Sequence, residues 1–344
     1  MKFSVGYQLQ DENNRPLAQS LCEISEHIYE VYFPWISTET GRSSLADNRG
    51  KINWNSQAFL EEDLLMLKKK GIRLNLLLNG NCYGKMAVSK YLRNKIHSII
   101  DHLAETGCAV DTVTTASPFI ASMIKEKYTD IDVTASVNMG IGTIRGIGYL
   151  KDIFDGFYLK REHNRNIEYI KEVKAYTDSI NKKLNILVNS GCMSHCPMQT
   201  FHDNAVSHEQ ELLETDNVTD YEIAGCWNYY SKKDNLPSLI QNTWIRPEDL
   251  YNYEGLFSHV KIATRTNERP LNLIKSYIDR SFYGNVLSLL EPNHSSVLGG
   301  YTIDNKSFPR DFFKRTSECN NKCQGCNYCN EVFEMTYKKL TAEI

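Results

Sequence analysis

The chain lacks any apolar run long enough to cross a membrane. A spanning helix needs about 20 mostly apolar residues, and no stretch of the 344 residues approaches that length. The first residues, MKFSVGYQLQDENN, also lack the apolar segment of a secretion signal. The sequence therefore predicts a cytoplasmic protein with no membrane partner.

The chain also lacks a dominant charge. It carries 39 basic and 42 acidic residues, a net charge of −3, and it has no run rich in Lys and Arg. Proteins that bind nucleic acid concentrate positive charge where phosphates are neutralised. Nucleic acid is therefore not expected as a partner.

Two hydrolase signatures are missing as well. The chain has no H-E-x-x-H pattern and no Ser-His-Asp order, so these patterns give no support to proteolysis. What it has instead is cysteine: of ten in all, most lie in two groups in the second half. Cytoplasmic thiols stay reduced, so clustered cysteines there bind metal more often than they form disulfides.

Eight short β-rich apolar runs recur, most of them separated by helix-like segments. The runs are 2–7, 28–33, 73–78, 110–115, 132–137, 156–160, 185–189 and 259–264, and the amphipathic segments include 57–70, 88–105, 117–128, 166–181 and 271–282. Eight alternations favour a closed (β/α)8 TIM-like barrel, with an open doubly wound sheet as the alternative. We expect the barrel over residues 1–285 and a short cysteine-rich C-terminal extension over 286–344.

The residues that follow each strand of such a barrel form its active face. Here these positions are polar, and the first cysteines also follow a predicted strand. The polar positions include Asn79, Asn81, Cys82, Ser136, Asn138, Asn189, Ser190 and Arg265. The densest stretch is the run Lys-Arg-Glu-His-Asn-Arg at 160–165, after strand six. The sequence thus predicts a polar site at the carboxyl ends of the strands.

The first cysteine group follows strand seven. Cys192 and Cys196 have a three-residue gap and precede Pro197, a spacing that also ends the bacterial ferredoxin run, and Cys226 lies 30 residues further on. Three thiolates can hold three irons of a cubane cluster and leave the fourth iron open. Cys82, His195 and His202 are open candidates for a fourth ligand, and a zinc site or plain packing are the alternatives.

Four stretches resemble the peptidase U32 family, in order and over about residues 130–285. They are FDGFYLKRE, LNILVNSGCMSHCP, IRPEDL and HVKIATRTN. The family typically has a Lys-Ile-x-Gly-Arg strand, and this chain has Thr264 in place of the Gly. The family's longer cysteine signature is also incomplete, so the resemblance is to a divergent branch.

The resemblance implies a TIM-like barrel with a 4Fe–4S cluster on cysteines of the strand-seven region. Despite the family's name, it implies oxygen-independent hydroxylation, of ubiquinone precursors or of RNA bases. By this resemblance Cys192, Cys196 and Cys226 are cluster ligands and Arg265 lines the site. The family's fourth cysteine has no clear match here.

The second cysteine group has the most specific metal spacing in the chain, C-x3-C-x2-C-x2-C, formed by Cys319, Cys323, Cys326 and Cys329. Such close neighbours rarely form unstrained disulfides, but they can wrap a cubane cluster or a tetrahedral zinc. The first three have the spacing of radical-SAM enzymes, yet they lie past the last strand. We expect an auxiliary electron-transfer cluster or a ligand for the barrel site, with zinc as the alternative.

Acid–base and binding residues are expected around strands six to eight. His163, Glu162 and His202 are the predicted catalytic groups, because a histidine titrates near neutral pH. Arg161, Arg165, Asn189 and Arg265 are the predicted substrate-binding groups, since arginines clamp carboxylates and phosphates. The alternative is that an Arg–Glu pair merely ties two loops together.

These features together favour an iron–sulfur oxidoreductase with one or two 4Fe–4S clusters. We expect oxygen-independent hydroxylation, or a related dehydration or rearrangement, of a small or carrier-bound organic substrate. An electron-donor protein and a homologous or redox partner subunit are the expected partners. One alternative is an RNA-modifying U32-like enzyme that hydroxylates tRNA or rRNA, and another is a peptidase or a zinc-stabilised binding protein.

Overall fold

Eight parallel strands form the centre of the molecule. The computed structural model describes residues 1–36, 38–39, 46–47, 51–52, 54–217 and 219–340, so the last four residues of the predicted extension lie outside it. The barrel strands are β1 Lys2–Gly6, β2 Ile28–Pro34, β3 Arg73–Leu78, β4 Thr112–Thr115, β5 Asp132–Ala135, β6 Gly156–Tyr158, β7 Lys183–Asn185 and β8 His259–Ile262. Each strand from β1 to β6 pairs in parallel with the next, and β8 pairs in parallel with β1.

The sheet closes at a seam between β8 and the chain that follows β7. Lys261 N donates to Ile186 O at 3.0 Å, and Val188 N donates to Lys261 O at 3.0 Å. The predicted run 185–189 therefore contains the seam, although the assigned strand β7 begins and ends earlier. These bonds confirm the predicted TIM-like barrel over the open doubly wound sheet.

Helices cover the outside of the barrel between the strands. They are α1 Leu17–Glu23, α2 Trp54–Lys69, α3 Lys90–Glu105, α4 Pro118–Lys127, α5 Ile144–Leu150 and α6 Ile167–Ser179, with three more after β7 (α7 Gln199–Ser207, α8 Glu209–Glu214, α9 Cys226–Tyr230) and α10 Pro270–Asp279 after β8. Helix α4 begins as its sequence predicts, with Pro118 in its first turn and Ser117 Oγ accepting from Ile120 N at 3.3 Å. No helix among these described segments combines the length and apolar character that a bilayer crossing demands.

The strands alternate apolar and polar side chains, and this alternation makes the barrel interior polar. Phe3 and Val5 are buried in the apolar core, while Ser4 between them donates to Glu30 Oε1 at 2.7 Å. Asn75 Nδ2 donates to the same Glu30 oxygen at 2.8 Å, and Thr114 Oγ1 donates to Asn75 Oδ1 at 3.0 Å. Most TIM barrels fill this space with branched apolar residues, so a buried hydrogen-bond network replaces part of that packing here.

The C-terminal residues pack against the long connection between β7 and β8. They include an antiparallel pair, β9 Tyr301–Ile303 with β10 Tyr337–Lys339, and helices α11 Phe312–Ser317 and α12 Tyr328–Thr336. Trp244 of the connection lies 6.1 Å from the Phe312 ring centre and 5.8 Å from that of Phe308. The boundary predicted at 285/286 stays a prediction.

Replacing Phe312 by Ala tests this packing. Its side chain is 1% exposed and contacts the guanidinium groups of Arg165 and Arg246. We expect Phe312→Ala to lower the free energy of unfolding by about 3–5 kcal/mol, because a large cavity forms where two cations have lost their aromatic partner. Chemical denaturation measures it. Phe201→Ala is the control, since Phe201 is 55% exposed. An equal loss of unfolding free energy in both variants would contradict the packing of Phe312 between the C-terminal residues and the connection.

Candidate active site at the barrel mouth

A small cavity of about 90 Å³ lies at the carboxyl ends of the strands. We call it the mouth cavity. It brings together several polar positions predicted from the sequence, namely Asn79, Ser136, Asn138, Arg161, Ser190, Cys192, His202 and Arg265. These predicted positions therefore lie together at the carboxyl ends of the strands, and their role as a functional site stays a prediction.

Three basic side chains and two carboxylates surround the mouth cavity. Arg161, Lys261 and Arg265 line it together with Asp203 and Glu291. Arg161 is buried, and its Nη1 donates to Ser190 Oγ at 3.2 Å. Burial opposes its charge, but the neighbouring Cys192, Asp203 and Glu162 raise the pKa of Arg161 overall. This cavity is suited to an anionic group.

Lys261 is the site residue that the sequence reasoning did not select. Its Nζ lies 3.8 Å from the Tyr32 ring centre and 5.1 Å from that of Tyr158. Burial, followed by the charge of Arg265, lowers the pKa of Lys261 to about 7 against the attraction of Glu30 and Glu291. The alternation of side chains along β8 could have identified Lys261 from the sequence. Val260 and Ile262 face the apolar core around the barrel, so Lys261 between them must face the barrel interior.

The first cysteine group lies in a loop that is pressed against the C-terminal segment. A Cβ on Gly191 would lie 2.2 Å from Pro292 O, so only glycine fits before Cys192. Asn242 Oδ1 accepts from Ser194 N at 3.0 Å, and His195 has a left-handed φ of 54°. The loop is thus held in one conformation by contacts on both sides.

The three thiols of this group interact electrostatically. Burial, then the charges of Cys192 and Cys196, raise the pKa of Cys226 to about 11, so the three interact although 30 residues separate Cys226 from Cys196. Within the part of the chain that the structure describes, no three His, Cys, Asp or Glu side chains are placed to hold a metal ion. The assignment of Cys192, Cys196 and Cys226 as ligands stays a prediction.

Glu162 lies beneath the same loop. Its side chain is 5% exposed, its Oε1 accepts from His195 N at 3.3 Å, and its buried Oε2 has no hydrogen-bond partner among the residues that the structure describes. His163 is adjacent but packs on Tyr169, with ring centres 4.6 Å apart, and burial lowers its pKa. Of the predicted catalytic groups, only His202 lines the mouth cavity.

A larger cavity of about 780 Å³ opens beside the mouth. We call it the side cavity. Its walls include His202, Cys226, Trp227, Asn267 and Asn285. His202 lines both cavities, while Cys192 lines the mouth cavity and Cys226 lines the side cavity, so the first cysteine group extends from one cavity to the other.

Two predicted substrate-binding residues serve the scaffold instead. Asn189 Nδ2 donates to Ala263 O at 2.7 Å and to Leu289 O at 2.8 Å, and its Oδ1 accepts from Ala263 N. Arg165 donates to Trp244 O and stacks on the Trp244 and Phe312 rings. Neither lines the mouth or side cavity.

Arg165 faces the second cysteine group. Cys319, Cys323 and Cys326 are exposed and Cys329 is half-buried. Burial raises the pKa of Cys329 to about 11; the positive charge of Arg165 opposes this increase, and the other three thiols add to it. Arg161 and Arg165, four residues apart, thus lie beside different cysteine groups.

Lys261→Met tests the electrostatic cost of the buried amine. The unfolded chain holds this proton up to about pH 10, whereas the folded chain releases it at about 7. The wild type should therefore gain stability as pH rises from about 7 to about 10, and the variant should lack that gain and be more stable at neutral pH by on the order of a few kcal/mol. Urea unfolding across this range measures both effects.

Lys171→Met is the matched control, because Lys171 is an exposed lysine whose side chain is 53% accessible. It should follow the wild type at every pH. A Lys261→Met variant with the same pH slope as the wild type would show that Lys261 titrates normally.

Comparison with known proteins supports the resemblance found in the sequence. No family model matches the chain. An uncharacterized protease of Methanocaldococcus jannaschii, MJ1657, is 28% identical over 325 residues, which cover 92% of this chain and 91% of that protein. The solved structure of the U32 peptidase Mk0906 covers 76% of this chain and 92% of its own, with 19% identity and a TM-score of 0.51, and this likeness shows the fold. The two comparisons confirm the predicted resemblance, and the chain shares the fold of the U32 peptidase Mk0906.

Proposed function

We propose that the chain is an iron–sulfur cluster-dependent redox enzyme. Its reaction would be an oxygen-independent hydroxylation, or a related dehydration or rearrangement, of a small or carrier-tethered organic substrate. The observation that carries this proposal is the pairing of each cysteine group with a buried arginine, Arg161 beside Cys192 and Arg165 beside Cys329. The barrel mouth is where enzymes of this fold perform their chemistry.

The chemistry of the cysteine side chains, rather than their present placement, supports such a group. All ten cysteines are free thiols, and iron–sulfur clusters are held by thiolates. Clustered thiolates repel one another and are costly to bury alone, as the raised pKa of Cys226 and of Cys329 reflects. Bound iron would remove that cost, and the neighbouring guanidinium groups would offset the remaining negative charge.

The two cysteine groups would hold separate centres. Cys192, Cys196 and Cys226 would hold the barrel centre, which would exchange electrons with the substrate. Cys319, Cys323, Cys326 and Cys329 would hold the second, which would relay electrons from a donor protein. Tetrahedral zinc is the alternative occupant of this exposed second group.

The chain's own residues would bind and orient the substrate. Arg161 and Arg265 would anchor an anionic group in the mouth cavity, and His202 would transfer a proton where the mouth and side cavities meet. The side cavity has room for the remainder of the substrate, with the Trp227 ring as one wall. Burial of Arg161 keeps water from screening its charge.

Counting metal in anaerobically purified protein tests the proposal. We expect about eight irons and eight sulfides per chain, which corresponds to two cubane clusters. A Cys192→Ala/Cys196→Ala variant should lose about half, and a chain truncated before Cys319 should lose the other half. EPR spectra recorded before and after dithionite should show that each variant lacks the signal of the cluster it has lost.

Other results of the metal count would favour one of the alternatives to two separate clusters. Loss of all iron in both variants would mean one shared cluster to which the tail supplies a ligand. Zinc without sulfide would reject the redox proposal and favour a zinc-stabilised protein. A Cys22→Ala variant is the control, since Cys22 belongs to neither group and should leave the metal content unchanged.

A further inference from the structure

A cysteine and a histidine meet at the rim of the mouth, outside the first cysteine group. Cys82 follows β3, and His208 follows the last residue of α7. Asn81 N donates to Ser207 Oγ at 2.9 Å, and Asn81 Nδ2 lies 3.4 Å from Asp203 Oδ2. These bonds hold α7 against the loop that follows β3.

The imidazole of His208 lies directly on this loop. The Cys82 thiol and the His208 ring are hydrogen-bonded, and a Cβ on Gly84 would lie 3.4 Å from His208 Cε1. Gly84 N donates to Cys82 Sγ at 3.4 Å, and His208 Nδ1 lies 3.1 Å from Glu211 Oε2. The order is therefore thiol, imidazole, carboxylate.

The electrostatics of the three groups agree with this geometry. The hydrogen bond to His208 and then the Gly84 N–H lower the pKa of Cys82, while the bond to Cys82 raises the pKa of His208. Glu211 also raises the pKa of His208, because its carboxylate stabilises the protonated ring. A thiolate beside an imidazolium is the activated state of a cysteine nucleophile. Cys82 is partly exposed, so a reagent can reach it.

We propose that Cys82 is a nucleophile for acyl transfer, with His208 as its acid–base partner and Glu211 orienting the imidazole. The substrate class is an ester or amide of a small acyl group. The thiolate attacks the acyl carbon, the imidazolium gives its proton to the departing alcohol or amine, and a thioester forms on Sγ. Water then attacks the thioester while His208 takes a proton from it, which releases the acid and restores the thiolate–imidazolium pair.

Cys82 and His208 belong to segments whose neighbouring residues line the mouth cavity. Asn79, three residues before Cys82, lines that cavity, and so do Asp203 and Val206 of α7. An acyl group on Cys82 would thus lie near the cavity that Arg161, Lys261 and Arg265 line. This activity is separate from the proposed redox chemistry and needs no metal.

The first test compares two cysteines in the same folded protein. Alkylation by iodoacetamide is followed for Cys82 and Cys22 by peptide mass spectrometry at about pH 6 and about pH 8. Cys22 is the internal control, because it is also partly exposed but burial raises its pKa. An ordinary thiol slows roughly tenfold per pH unit below its pKa; Cys82 should slow less than threefold over the whole interval.

Variants then separate the roles of the three residues. His208→Gln should slow Cys82 alkylation at about pH 6 at least tenfold, and Glu211→Gln should slow it by a smaller factor. With p-nitrophenyl acetate, the wild type should release a burst of one p-nitrophenolate per chain and carry an acetyl group on Cys82. Cys82→Ala should abolish the burst, and Cys22→Ala should retain it.

Three outcomes would overturn the proposal. Cys82 would be an ordinary thiol if its alkylation followed the pH profile of Cys22. It would be a metal ligand if it were protected in the purified protein and became reactive only after metal removal. Rapid alkylation without an acetyl adduct would reject acyl transfer. The comparison of Cys82 with Cys22 needs only the wild type, so it stands even if a variant fails to fold.

Discussion

The seam that closes the barrel at Lys261 determines much of the rest of the structure. The backbone of Lys261 joins β8 to the chain after β7 through two hydrogen bonds. Because side chains alternate along a strand, the same pairing directs the Lys261 amine toward the mouth cavity and turns Val260 and Ile262 into the core. A single-residue slip in this pairing would turn all three side chains to the opposite face of the sheet. The pairing that closes the barrel therefore also places the amine of Lys261 at its mouth.

A polar barrel interior accompanies this seam. Glu30 accepts from both Ser4 and Asn75, and Asn75 in turn accepts from Thr114. Buried polar groups stabilise a fold only when they are hydrogen-bonded, and an apolar filling is the usual solution in this architecture. A network of this kind specifies one register of the strands more strongly than it adds stability.

The segment that follows β6 connects the mouth with the C-terminal extension. Arg161 extends to Ser190 and Cys192, whereas Arg165 lies under Trp244 and Phe312 and beside Cys329. Arg246 forms a buried ion pair with Asp249 and stacks on the same Phe312 ring. Through these contacts the extension is packed onto the connection that carries the first cysteine group.

The sequence by itself determined the repeating architecture. Strand and helix periodicity, the Ser117–Pro118 helix start and the polar residues after the strands are local signals, and they predicted the barrel and the location of its site. The two cysteine groups are also visible from spacing alone. Only the tertiary structure decided which polar residues lie close together. Arg165 and Asn189 bind backbone carbonyls of the scaffold, Lys261 lines the mouth cavity, and Cys82 lies beside His208. Local patterns specify how the backbone is arranged, but the direction of a long side chain and its partner depend on which loops the closed barrel brings together.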